Sequence, residues 1–336
     1  MRFSLATLAF ASAVALGACG GGGTTDRGRA VSVAGPTAAA TPNFTVPRTF
    51  AAVLQNVGEN GPEDALRIDA LASAPYDALL IDEIGTSSSA YATTQAAIVS
   101  RLHASAGSSL AHKLVYGYVN IGEAESFRAY WQPGWAPGSP SFVLSGLDPN
   151  GFAGDYPVNF ASPAWQAIVF GTPASLIDRA IADGFDGVYL DWVTGYAFAP
   201  VIAANPNAQS TMATFISAIA TYAKAKKPGF TIVAQNAREL VTDSRYLQAV
   251  DAVLQEDLFF SNSATQAGDI AQNGAVTAQL LMEFSQLRLA GKPIFSIDYA
   301  TTAANATSAY TRARSAGVIE YVSDRALGAL SSFPPP

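Results

Sequence analysis

The sequence predicts a single α/β domain, a (β/α)8 TIM barrel, and three observations carry that expectation. Eight short runs rich in apolar and β-branched residues recur along the chain, amphipathic helical stretches separate them, and almost every run ends in a carboxylate or an amide. Continuous apolar strands alternating with helices describe a parallel sheet covered on both faces. Eight such units fit closure into a barrel better than an open sheet. A doubly wound sheet is the alternative, but no Gly-x-Gly-x-x-Gly follows the first run, so its dinucleotide-binding form has no support.

The first run, 49–56, ends in Gln55 and Asn56 and leads to a helical pattern over 63–71. The second, 78–83, ends in Asp82 and Glu83 before a helix over 90–104. The third, 113–120, ends in Asn120, and the longest connection follows, 121–162, holding Trp131, Trp135, Phe142, Phe152, Tyr156 and Phe160 among glycines and prolines. A loop of that length in a compact domain is functional or disordered; its aromatic content predicts an ordered flap over the barrel rim. A helix over 163–182 precedes the fourth run, 187–191, which ends in Asp191. A helix over 209–226 leads to the fifth, 231–236, ending in Gln235 and Asn236, and a helix over 239–249 to the sixth, 252–256, ending in Glu256. Helices over 275–289 and 302–315 bracket the seventh, 293–298, which ends in Asp298, and the eighth, 317–324, ends in Asp324. In a barrel all these ends share one rim, where the active sites of such folds sit.

Composition narrows the function. The formal charge of −7 argues against nucleic acid, which needs a basic face. Acidity favours a cationic ligand, although solubility accounts for net charge as simply. His103 and His112 both fall near the turn before the third run, at the end of the barrel away from the rim, so neither a catalytic histidine nor a metal site is expected. There is no Gly-x-Ser-x-Gly elbow and no Walker loop. The rim is left with carboxylates, amides and aromatic rings, and no cofactor is expected. That inventory suits glycoside hydrolysis, in which one carboxyl donates a proton and a second acts as nucleophile or base.

Asp191 closes the run Gly187-Val188-Tyr189-Leu190-Asp191 beside Trp192, and is either one of that pair or a loop cap; Asp186, before the strand's core, reads as a turn residue. Glu256 closes Val253-Leu254-Gln255-Glu256 beside Phe259 and Phe260, and is either the second acid, its pKa raised by desolvation, or the partner of an arginine. Strict alternation points Asp257 the other way.

Several motifs, in order, resemble glycoside hydrolase family 114, the endo-α-1,4-polygalactosaminidases and their bacterial relatives, over about residues 50–330. They are Tyr116-Gly117-Tyr118-Val119-Asn120-Ile121-Gly122-Glu123-Ala124-Glu125 with Arg128, Tyr130 and Trp131; Trp165-Gln166; the Gly184 to Asp191 run; Gln235-Asn236 with Glu239-Leu240; Glu256; Asp298-Tyr299-Ala300; and Tyr321-Val322-Ser323 with Arg325. The resemblance implies internal hydrolysis of α-1,4-linked galactosamine, with Asp191 as nucleophile and Glu256 as general acid/base. Many relatives carry a further aspartate three residues beyond the first; here that position is Thr194. For such a substrate Asp82, Glu123, Asp155 and Asp298 are either ammonium-neutralising groups or structural acceptors. Gln235 and Asn236 either bond sugar hydroxyls or satisfy loop amides. Tyr118, Trp131, Trp135 and Trp192 either stack on sugar faces or belong to the core. Tyr299 is carried over as substrate-binding, and Arg128 is expected to pair with Glu123 or Glu125 and order the flap. Two readings stand beside this one: a hydrolase of another secreted glycan, and a non-catalytic glycan-binding lipoprotein of an exopolysaccharide or biofilm system.

The N-terminus reads as targeting. Arg2, an apolar stretch too short for a permanent membrane helix, and Leu16-Gly17-Ala18-Cys19 resemble a lipoprotein signal, residues 1–18, with the sole cysteine, Cys19, as the lipidated first mature residue. An ordinary signal peptide is the plainer alternative. Residues 19–47, poor in large side chains, read as a tether of ~25–30 Å root-mean-square reach, and 48–336 as the barrel. The expected setting is the cell envelope, on the outer membrane or facing the periplasm, since Gly20 lacks the acidic inner-membrane retention signal. A monomer is expected.

Overall fold

The computed structural model describes residues 44–55, 62–82, 94–146, 148 and 151–336. Cys19, the signal segment, the tether up to residue 43, Asn56 and Glu83 lie outside them. Within them Phe44 already packs against the core, four residues ahead of the expected boundary at 48.

Eight parallel strands form the barrel: β1 (Phe50–Val53), β2 (Ala78–Asp82), β3 (Leu114–Asn120), β6 (Gly187–Asp191), β7 (Thr231–Gln235), β8 (Ala252–Glu256), β11 (Ile294–Tyr299) and β12 (Ile319–Ser323), paired in that order. β1 and β12 meet at the seam, where the Phe50 and Tyr321 rings lie 5.7 Å apart and Leu54 N–H donates to Leu327 O at 2.8 Å. Residues of both faces are buried, which is why the runs read as continuously apolar.

Three aspartates stitch the N-terminal end of the barrel. Asp77, before β2, accepts from Arg48 N at 2.9 Å; Asp186, before β6, from Val115 N at 2.8 Å; and Asp251, before β8, from Ile232 N at 2.8 Å. Each carboxylate thus caps an N–H at or near the start of the neighbouring strand. His103 Nε2 lies 2.8 Å from Asp186 Oδ2, so this histidine belongs to the end opposite the site.

The helical layer departs from expectation in three places, one of them a 3-10 turn (Val193–Ala197) and a short helix (Ala199–Ala204) where no helix was expected. Residues 163–182 form two helices, Pro163–Val169 and Leu176–Ala182. Gly171 at φ +111° and Pro173 break the run, and Asp178 fixes the corner by accepting from Gly171 N and Ser175 Oγ. Residues 239–249 form a 3-10 turn, Arg238–Thr242, then a short helix, Ser244–Ala249, because Asp243 accepts from Arg245 N and restarts the chain.

Two small antiparallel strand pairs were absent from the expectation: β4 (Glu123–Glu125) with β5 (Asp155–Pro157), and β9 (Phe260–Ser263) with β10 (Gln266–Ala271). Both are short and lack apolar alternation. The second is held from outside: Asp269 accepts from Thr301 N and Asn305 Nδ2, and Gly268 sits so close to β11 that an added Cβ would lie 2.6 Å from Tyr299 O.

Candidate active site

β6, β7 and β8 end on the same rim in Asp191, Gln235 and Glu256, and each is followed by a residue in the left-handed region: Trp192 at φ 53°, Asn236 at 45° and Asp257 at 57°. None is glycine. Such conformations cost about 1–3 kcal/mol each and persist only where surrounding structure over-determines them; Asn and Asp bear them most easily. Each turn serves the site: Trp192 and Asp257 line the cavity, and Asn236 Oδ1 accepts the Glu256 N–H at 2.8 Å. Gly122 makes room for the first, since a Cβ there would meet Trp192 O at 2.2 Å and Trp192 Cβ at 2.8 Å.

The rim encloses a cavity of about 420 Å³, within the range of ligand pockets. Asp191 and Glu256 both line it. Tyr118 Oη donates to Asp191 Oδ2 at 2.6 Å, and Trp192 N to Oδ1 at 2.7 Å. Gln235 Nε2 donates to Glu256 Oε2 at 2.7 Å, and Tyr299 Oη to Oε1 at 3.0 Å. Burial and then the charge of Glu256 push Asp191 up to about 8, against the donors on it. Burial also raises Glu256, opposed by Gln235, Tyr299 and Asn236. Two raised carboxyls close enough to interact titrate as a coupled pair, the charge on one disfavouring the charge on the other.

Of the other sequence-derived residues, Asp82, Tyr118, Trp192, Gln235 and Tyr299 line the same cavity, as does Asp155. Four do not. Trp131 stacks on Tyr156 at 5.4 Å and meets Trp135 at 5.5 Å, so the flap's indoles pack on one another away from the cavity wall. Glu123 is wholly buried, neither carboxylate oxygen is hydrogen-bonded among the described residues, and burial with Asp148, Asp155 and Asp191 pushes it up to about 9. Asp298 is buried and accepts from the Phe259 and Phe260 N–H groups, fixing the chain beyond β8. Asn236 stands behind Glu256.

Arg128 pairs with Glu125, one of its two expected partners, at 2.8 Å and in addition with Asp82, reached at 2.6 and 2.8 Å; all three line the cavity, so this cation also borders it. Asp257 was expected to face away and instead joins the wall, because the left-handed turn breaks the alternation. Phe127, Phe152 and Asn262 were not foreseen as lining residues; the two phenylalanines are 44% and 38% exposed, the only strongly exposed aromatic rings among the described residues, and both stand at the cavity. Their exposure beside charged neighbours has no local sequence signature.

A parallel barrel whose rim cavity joins two carboxyls, each held by its own donors, is the architecture of a glycoside hydrolase. The chain belongs to glycoside-hydrolase family GH114, whose model matches residues 36–334. An uncharacterized protein of Deinococcus radiodurans is 34% identical over 266 residues, 79% of this chain and 78% of that one. Among solved structures, the glycoside hydrolase domain of PelA from Pseudomonas aeruginosa shares the fold with a TM-score of 0.61 at 18% identity, covering 86% of this chain and 99% of that one. Ega3 of Aspergillus fumigatus, solved in complex with galactosamine, does so with a TM-score of 0.58 at 17% identity, covering 86% and 98%.

Proposed function

We propose that the protein cleaves a galactosamine-rich, α-1,4-linked exopolysaccharide internally, with Asp191 as nucleophile and Glu256 as general acid/base. The observation that carries this reading is the convergence of these two carboxyls in one cavity, each on its own pair of donors. In the first step Asp191 attacks the anomeric carbon while Glu256 gives its proton to the departing glycosidic oxygen. In the second, Glu256 takes a proton from water, which displaces Asp191 and releases the sugar. Tyr118 and Tyr299 hold the two acids in position.

The substrate class is supported by the wall's charge. Six carboxyls line the cavity (Asp82, Glu125, Asp155, Asp191, Glu256, Asp257) against two guanidiniums, Arg128 and Arg325. Burial holds several of these carboxyls toward their neutral form in the empty cavity, Asp155 at about 8, and a cation entering among them favours their ionisation; galactosamine is the ligand of Ega3. Phe127 and Phe152 at the mouth offer apolar faces to further sugars of a chain, which suits internal cleavage.

Incubation with purified poly-galactosamine, with products read by mass, tests the proposal. Wild type yields oligomers, and Asp191→Asn and Glu256→Gln yield none while unfolding at the wild-type temperature. Wild-type cleavage by both variants refutes the pair; binding without new reducing ends makes the protein a glycan-binding module; activity confined to a neutral or fully acetylated polymer changes the substrate. We also propose that a lipid on Cys19 holds the domain at the cell envelope. Fatty-acid labelling that is lost in Cys19→Ser is the expected result, and labelling retained in that variant refutes it.

A further inference from the structure

Asp257 has no task in the hydrolysis described above. Its left-handed backbone is nonetheless pinned from two sides: its N–H donates to Ile297 O on β11 at 3.0 Å, and its carbonyl accepts from Gln272 Nε2, beyond β10, at 2.8 Å. Strain held this firmly belongs with function. The side chain it presents lines the cavity next to Glu256, and its Oδ1 is shut from solvent with no hydrogen-bond partner among the described residues. Around it are Glu256, which precedes it at the end of β8, and Asp298 and Tyr299 on β11; Arg325, beyond β12, lines the same cavity with its guanidinium 4.2 Å over the Phe152 ring.

A buried acceptor without a donor is costly to leave unmade, and neighbouring carboxyls make a second negative charge costly as well. A ligand that brings both N–H donors and positive charge relieves both. An ammonium group does so; a hydroxyl brings no charge, and an acetamide brings one N–H with added bulk. Rotation about the broad, two-fold terminal torsion of aspartate turns either oxygen toward such a ligand.

We propose that Asp257 is the residue that selects a free amino group on the bound sugar, pairing with its ammonium and releasing a proton as it does so. The proton is Asp257's own: burial, then Glu256 and Asp298, hold its carboxyl well above the ordinary range, so it is a neutral acid in the empty cavity. The carboxylic acid loses its proton to solvent, the ammonium keeps its charge, and an ion pair forms. This deepens the glycoside hydrolase reading and rests on it for the sugar class.

The test is isothermal titration calorimetry of the full chain with galactosamine, galactose and N-acetylgalactosamine, at mildly acidic pH and in buffers of different ionisation heat. Galactosamine is expected to bind about 10-fold or more tighter than galactose and to release about one proton per site. Asp257→Asn loses both the preference and the proton. Asp257→Gly, at ease in the left-handed turn, does the same and controls for folding, with unfolding temperatures measured beside both. Wild type that releases no proton, or binds galactose as tightly, overturns the proposal without any variant, and so does proton release retained by Asp257→Asn. Because the readout is binding, the two readings fail separately. Proton-linked galactosamine binding by a chain that cuts no polymer sinks the hydrolase reading alone, whereas cleavage of a neutral glycan without proton-linked binding sinks the Asp257 assignment alone.

Discussion

Two phenol-to-phenyl substitutions separate the roles of the two acids. In the proposed mechanism the working form has Asp191 ionised and Glu256 protonated, yet burial raises both carboxyls and takes Asp191 to about 8. The pair therefore partitions one proton. Tyr118→Phe removes the 2.6 Å donor to Asp191 and keeps the ring. A hydrogen bond to a charged group contributes about 1.5–3 kcal/mol, equivalent to about 1–2 pKa units. The sign follows: with a donor to its charged form gone, Asp191 holds the proton more tightly and its pKa rises. The working form, and kcat/KM near neutrality, fall by about 10–100-fold, and the alkaline limb, where the last proton leaves, moves up by about 1–2 units. Tyr299→Phe removes the 3.0 Å donor to Glu256 and acts in the opposite sense, shifting the proton toward Glu256, so its rate near neutrality holds or rises. The assay is kcat/KM against pH for both variants. A loss in Tyr299→Phe with Tyr118→Phe spared exchanges nucleophile and acid. If neither substitution moves a limb or the plateau, the tyrosines do not govern the pair and the reasoning fails.

Three further outcomes are expected. Arg128→Met leaves Asp82 and Glu125 buried without their shared cation; the expected loss is about 3–5 kcal/mol of stability, read by chemical denaturation, and a loss below about 1 kcal/mol would show the triad to be solvated. Gly122→Ala forces a methyl against the Trp192 backbone, 2.2 Å from its carbonyl oxygen; overpacking costs about 1–3 kcal/mol, and displacement of the turn after Asp191 lowers kcat by about 100-fold, so wild-type turnover would mean that turn does not position Asp191. Asp77 would be raised by its burial, but bonds from Ser109 Oγ and from the Ser109, Arg48 and Leu110 N–H groups hold its carboxyl at about 2. Its folded pKa is depressed, so its contribution is present above its unfolded value of about 3.9 and is lost as pH falls toward 2. Asp77→Asn is therefore expected to melt lower at neutral pH by roughly 1.5–3 kcal/mol of stability, with the gap closing in acid; a pH-independent gap assigns the effect to shape rather than charge.

The barrel was legible because each of its strands is buried on both faces, which leaves a continuous apolar run wherever the chain crosses the core, as in Val188-Tyr189-Leu190 and Ala252-Val253-Leu254. The pair of acids was legible for a related reason: a carboxylate directly after such a run has only the rim to go to. What escaped was of two kinds. Arg128 joins Asp82, 46 residues away, and nothing local to either encodes the partner. Trp131 was open to a sugar-stacking reading because exposed and self-packed indoles look alike in sequence; its neighbours Tyr156 and Trp135 decide the matter only in three dimensions.

Asp257 escaped through the rule that served elsewhere. Alternation assumes extended backbone, and it was carried one residue too far, past Glu256, into a turn with no glycine to announce it. The same device follows Asp191 and Gln235, so three successive strands leave the regular pattern at their C-terminal ends. Local rules fail together there because the surrounding structure imposes conformations the residues would not choose alone: Gly122 yields space to Trp192, Asn236 spends its side chain on Glu256, and Ile297 and Gln272 grip Asp257. Packing has a ready use for the first two turns. The third delivers a carboxyl whose Oδ1 has no hydrogen-bond partner among the described residues to a wall already rich in carboxyls, an arrangement that disfavours the empty site and is relieved by a cation entering it.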